Sequence, residues 1–205
     1  MSPFIERLVA RLELGAYPRP PDDGRKRAAV AAVLHDPADP SESGPLHLGE
    51  PAGPRVLLMK RIERIGDPWS GHISLPGGGL DPRDPDLLAT AIRETQEELG
   101  IDLGGARVVG SLPVLSPLSS GPSSIEVTPF VFVTRAAVEP HPGPEAQSAF
   151  WLPIELAASG ALDEAYTYPG TTRTFPSWRY GTHTIWGLTW RILGDLLAVG
   201  QNETG

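Results

Sequence analysis

Residues 93–98 read RETQEE, so Glu94, Glu97 and Glu98 crowd together beside Arg93. On a helix, positions three and four apart share a face, and Glu94 would stand over both Glu97 and Glu98. Like charges at these spacings weaken an isolated helix by roughly a few tenths of a kcal/mol per pair. Near a helix C-terminus they also oppose the backbone dipole, which favours cations there. A hard divalent cation reverses that balance. Mg²⁺ or Mn²⁺ takes carboxylate oxygens, keeps part of its water and bridges to phosphates. Arg93, four residues before Glu97 and next to Glu94, is placed to orient a carboxylate or to offset its charge. Spacing alone fits equally well a solvated glutamate face with Arg93 as its counterion.

The residues before the glutamates bear on that choice. Gly77, Gly78 and Gly79 predict a turn in which the backbone can approach a metal or a phosphate closely. Asp84 reads as an N-cap and Pro85 as the first helical position, with Gly100 past the end, which predicts a helix over about 86–99. Leu88, Ala91, Ile92, Thr95 and Leu99 form its core-facing stripe. Arg61 and Arg64 are candidate phosphate contacts, and Trp69 could stack an adenine or cover a pocket; a surface ion pair and ordinary packing are their plainer roles.

Taken together, residues 77–101 resemble the Nudix box of hydrolases that act on nucleoside diphosphates linked to another moiety. Arg93, Glu94, Glu97, Glu98, Gly100 and Ile101 match its second half, and Gly77, Gly78, Asp81, Pro82 and Asp84 its first. Pro85 stands where the box usually carries a glutamate, with Asp84 one residue earlier. That one-residue insertion is similar to the coenzyme A diphosphatase branch. So are LLMKR (57–61), GHISLPGG (71–78), TPF (128–130), EAQSAFWLP (145–153) and IWGLT (185–189). Met59, Asp67 and Leu75 depart from the signature of that branch upstream of the box.

The resemblance implies a Mg²⁺- or Mn²⁺-dependent diphosphatase that splits CoA or acyl-CoA into 3′,5′-ADP and (acyl-)4′-phosphopantetheine. Asp67, standing where an arginine is expected, favours the alternative of ADP-ribose, a dinucleotide or a nucleoside triphosphate. A catalytically silent binding protein is a third reading, against which all three box glutamates are present. The resemblance further implies Glu97 and Glu98 as principal metal ligands, Glu94 as ligand or general base, and the Gly78 carbonyl as completing a metal site. Asp84 and Glu145 are further candidate acids, the latter from a later loop.

The rest of the chain must position these groups. At 205 residues, 40% hydrophobic and 20% charged, it has the size and composition of one soluble globular domain. A net charge of −8 argues against nucleic acid as a partner and calls for local cations around a small anionic, nucleotide-derived substrate. The absence of cysteine removes disulfides, thiolate catalysis and cysteine-bound zinc. Charged residues interrupt the first fifteen positions and no apolar run reaches about 18–20 residues, so a cytoplasmic protein without membrane contact is expected. The oligomeric state stays open, a homodimer included.

Periodicity predicts an N-terminal helix over 3–14, strands at 26–35 and 54–62, and a surface insertion over 36–54 between them. Further strands are expected in ARVVGSLPVLS, IEVTPFVFVTR and SAFWLPI, and a last helix in IWGLTWRILGDLLAVG. Strands interleaved with helices predict a single α/β domain over 1–205 with its core at about 27–197. In the Nudix form this is an α/β/α sandwich around a mixed sheet.

Overall fold

The computed structural model describes all residues except 13–14, 18, 38–52, 67–68, 118–124, 135, 137 and 202–205. The predicted 36–54 insertion therefore lies largely outside the described residues. Its flanks do pair: β1 (Lys26–His35) and β2 (Arg55–Arg61) run antiparallel through Leu34–Val56 and His35–Arg55.

These strands belong to a seven-stranded mixed sheet. β1 pairs in parallel along its whole length with β6 (Ile125–Thr134), and β6 carries β5 (Arg107–Ser111) on its far side. β2 leaves β1 after two residue pairs, and further along pairs with β3 (Ile73–Ser74), with β7 (Ala146–Pro153) on its other edge. The freed start of β1 pairs instead with β4 (Gly77–Gly79). The sheet thus forks where the chain passes from β3 to β4.

Alternation along the strands builds two cores, as the period of two in a strand requires. Ala29, Ala31, Val33, Leu57, Met59, Phe130 and Phe132 face α2 (Leu87–Leu99). Ala32, Leu34, Val56, Leu58, Val131 and Val133 face the opposite layer, built from α1 (Pro3–Arg11), α3 (Ile154–Ala158) and α4 (Gly187–Gly200). Phe130 and Phe132 are fully buried, each contributing roughly 2–3 kcal/mol of apolar transfer. The result is the expected α/β/α sandwich around a mixed sheet.

α1 is shorter than the predicted 3–14, with Leu12 as its C-cap. It closes on α4: Arg7 donates to the Gly200 carbonyl (2.6 Å) and Arg11 to those of Val199 and Gln201 (3.0 Å each). Cations at a helix C-terminus satisfy carbonyls that have no partner within the helix.

A second, three-stranded antiparallel sheet is absent from the sequence expectation. It comprises β8 (Asp163–Thr167), β9 (Thr174–Tyr180) and β10 (His183–Trp186). The last helix begins at Gly187 because Ile185 and Trp186 are held in β10, paired with Trp178 and Ser177. Among the described residues no helix is long and apolar enough to cross a membrane.

Candidate active site

α2 lies over β1 and β4 and carries the glutamates. Its first turn differs from expectation. Asp86 is the N-cap, accepting from the Ala89 N–H (2.7 Å), and the helix starts at Leu87. Pro85 disfavours helical geometry at Asp84, which leaves both residues ahead of the cap. Asp84 is instead a buried carboxylate with four donors: the Asp81 N–H (3.0 Å), the Thr90 hydroxyl (2.9 Å), and Arg93 Nε and Nη2 (3.0 and 2.9 Å). The Arg93 fork holds the Asp84 carboxyl below its usual value, and the same pair raises that of Arg93. Arg19 donates to the Asp84 carbonyl, tying the N-terminal segment to this loop.

The rest of the guanidinium reaches the glutamates. Nη1 donates to Glu94 Oε1 (2.9 Å) and Glu97 Oε2 (3.1 Å), and Nη2 to the Gly79 carbonyl (3.2 Å). Glu97 is exposed, whereas Glu94 is recessed and its pKa is raised, burial outweighing Arg93. Glu98 is the most enclosed, 2% exposed. Its Oε2 accepts from the Gly77 N–H (2.8 Å), and Oε1 lies 3.9 Å from Arg61 Nη1. Burial, reinforced by the charges of Glu94 and Glu145, pushes Glu98 up to about 7 against the pull of Gly77 and Arg61.

The predicted glycine turn is a strand. β4 pairs Gly77, Gly78 and Gly79 with Val30, Ala29 and Ala28. Its glycines serve close approach: a Cβ on Gly77 would stand 2.3 Å from the Ala29 carbonyl oxygen, and one on Gly78 would stand 2.5 Å from the Glu94 carboxyl carbon. The backbone therefore lies directly against two of the three box carboxylates.

At the other end of α2, Gly100 caps the helix in the left-handed region (φ 66°). The His141 and Gly143 N–H groups donate to the Leu99 and Glu98 carbonyls (2.7 and 2.8 Å). That contact delivers the following Glu145 to the site, where its charge bears on Glu94 and Glu98. The Glu145 carbonyl accepts from the Ile62 N–H (3.0 Å), and its carboxylate pairs with Arg64 (3.4 Å). Trp69, 42% exposed, sits on the same β2–β3 loop.

The structure thus gathers Arg61, Arg93, Glu94, Glu97, Glu98, Gly78 and Glu145 around one end of α2, with Arg64 joined through Glu145. Thr90 escaped the sequence reading because its partner Asp84 is six residues away, a separation with no helical signature. IWGLT has a packing role: the Thr189 hydroxyl donates to the Ile73 carbonyl (2.9 Å), fastening α4 to β3. Among the described residues no three acidic or imidazole groups close into a metal cage; Arg93 lies between Glu94 and Glu97. The oxygen-only donor set, the under-compensated Glu98 and the backbone pressed against Glu94 nevertheless fit a hard cation.

Comparison with known proteins supplies the wider context. The NUDIX domain family matches residues 26–171. The Nudix hydrolase NudL of Photorhabdus laumondii is 30% identical over 202 residues, spanning 96% of this chain and 95% of its own. NudL of Yersinia enterocolitica is 34% identical over 148 residues, 70% and 72% of the two chains. Among solved structures, a NUDIX hydrolase from Alicyclobacillus acidocaldarius superposes with a TM-score of 0.54 at 19% identity, covering 87% of this chain and 94% of that one. A MutT/nudix family protein from Enterococcus faecalis gives 0.53 at 14% identity, covering 93% and 66%.

Proposed function

The chain belongs to the NUDIX family, and from that premise we propose that it hydrolyses the diphosphate bond of a small nucleoside diphosphate derivative in the cytoplasm, with CoA or acyl-CoA as the favoured substrate. The observation that carries the hydrolase reading is the buried, poorly compensated Glu98 beside Glu94, Glu97 and the backbone of β4. The CoA preference is supported by the Asp84–Pro85 insertion and the LLMKR, GHISLPGG and IWGLT segments.

Glu97 and Glu98 are the principal ligands for Mg²⁺ or Mn²⁺, with Glu94 and the Gly78 carbonyl beside them and Glu145 within electrostatic reach. Such a cation would supply charge neutralisation at the phosphates and water activation. The chain's own groups do the rest. Arg93 fixes the Glu94 and Glu97 carboxylates in one orientation. Glu94, when not a ligand, accepts the proton of the attacking water. Arg61 and Arg64 bind the diphosphate oxygens, Arg64 exchanging its long contact with Glu145 for the stronger one to phosphate. Asp84, with its oxygens committed to Arg93, Thr90 and Asp81, orients Arg93 and does not ligate metal.

The test is a substrate panel with Mg²⁺ or Mn²⁺, comparing CoA, acyl-CoAs, ADP-ribose, NADH and dinucleotides and resolving products by chromatography. CoA should yield 3′,5′-ADP and 4′-phosphopantetheine, and Glu97→Gln should lose that turnover with the fold intact. Turnover of ADP-ribose without CoA would overturn the substrate and leave the hydrolase reading standing. Full activity in Glu97→Gln would overturn the metal assignment.

A further inference from the structure

A cavity of about 320 Å³ opens between the β2–β3 arm and the second sheet. Lys60 and His72 line it from the arm, and Tyr166, His183, Thr184 and Trp186 from the sheet. It is not remote from the glutamates. The Arg61 N–H donates to the His72 carbonyl (3.0 Å), pairing the two residues across the strands, and the Arg61 guanidinium lies 3.9 Å from Glu98. The cavity therefore begins one cross-strand pair from the candidate metal site.

Its chemistry is divided. One wall is aromatic: Trp186 meets the Tyr166 ring at 4.6 Å and the His72 ring at 5.0 Å. The other is basic and hydroxylic. Burial and the nearby Lys60 ammonium hold the His183 imidazole below its usual value, which places those two groups in one electrostatic neighbourhood. His183 is fixed by parallel stacking on Phe150 at 4.2 Å. The only cation of the wall, Lys60, has a loose 3.6 Å pairing with Glu63, whose side chain is 76% exposed, so an entering anion can displace it. An aromatic wall facing a cation and hydroxyls suits a planar heterocycle that carries a phosphate.

We propose that this cavity receives the base and phosphate of the substrate's nucleoside monophosphate half, with Lys60 on the phosphate and the Trp186 cluster along the base. The proposal rests on the diphosphatase reading of the glutamate cluster, since a diphosphate held by Arg61 leaves one half directed at His72.

Titration calorimetry of the full chain in chelator separates binding from turnover. AMP should bind at least about tenfold more tightly than ribose 5-phosphate or inorganic phosphate, and Lys60→Ala should weaken AMP about tenfold or more. Thr184→Val should weaken it less, Lys60→Arg should retain it, and unchanged thermal transitions show that the variants fold. In turnover, Lys60→Ala should raise KM with kcat unchanged. No AMP binding, equal binding of ribose 5-phosphate, or AMP binding indifferent to Lys60→Ala would each overturn the cavity assignment. Lys60-dependent AMP binding without hydrolysis of any diphosphate would sink the diphosphatase reading and leave the cavity as a nucleotide site.

Discussion

Arg93 directs its N–H donors to Asp84 twice, to Glu94, to Glu97 and to the Gly79 carbonyl, so a single positive charge serves three carboxylates. Removing it strands Asp84 in the interior. Arg93→Ala should cost about 3 kcal/mol in denaturant unfolding, and Arg93→Lys should recover only part, because an ammonium cannot reproduce the fork. Glu98 receives no share of that charge and is raised to about 7 by burial. The sign of its effect on stability follows. Between the ordinary value of 4.5 and about 7 the folded chain holds a proton that the unfolded chain releases, so stability falls as pH rises through that window. In chelator, Glu98→Gln should therefore be more stable than the parent at pH 8, by at most about 3 kcal/mol, and level with it at pH 5, while losing turnover. A parent as stable as the variant at pH 8 would show that Glu98 ionises there without strain. The glutamates and Arg93 were legible because their i, i+3 and i, i+4 spacings share a helix face. Asp84 was misjudged because an aspartate before Pro85 is also a plausible cap, and only the fold shows the guanidinium that claims it.

The elements divide between those written in local pattern and those that depend on distant partners. β1, β2 and β6 were legible because burial on both faces demands nearly unbroken apolar runs. The second sheet was missed since β8 and β9 are mostly exposed, rich in Thr and Pro, and their aromatics pack on one another around Trp186. β4 hid for another reason: three glycines have turn-like composition, and the strand forms because only glycine lets the chain lie against Val30 and Glu94 at once. The two glycines at the fork can be separated by experiment. At Gly77 the added methyl meets backbone, which cannot yield, so Gly77→Ala should cost several kcal/mol by thermal unfolding, on the order of an overpacked core position. At Gly78 it meets a carboxylate that can rotate away, so Gly78→Ala should lose activity and metal affinity far more than stability. Equal loss of stability in both variants would mean that β4 is positioned by the strand pair alone, with no demand from Glu94.

Across the whole molecule, a chain of net charge −8 brings acids from two separate segments to one point, Glu94, Glu97 and Glu98 on α2 and Glu145 from the loop that caps it. Their mutual repulsion opposes folding, and it is relieved by protonation or by a cation. The two remedies compete. Protons occupy Glu98 below about 7, so a cation gains least in acid and most in base. A cation at about a hundred times its dissociation constant adds about 2.7 kcal/mol, which for a chain of this size raises the melting temperature by roughly 5–10 °C. Mg²⁺ should therefore raise the transition of the parent chain markedly at pH 8 and only slightly at pH 5.5. KCl matched for ionic strength should not reproduce the effect, because screening does not replace coordination. Glu97→Gln should blunt the shift, and Glu98→Gln should abolish its pH dependence by removing the competing proton. A shift equal at both pH values in the parent chain would place the cation away from Glu98, and with it the centre around which α2, β4 and the Glu145 loop are assembled.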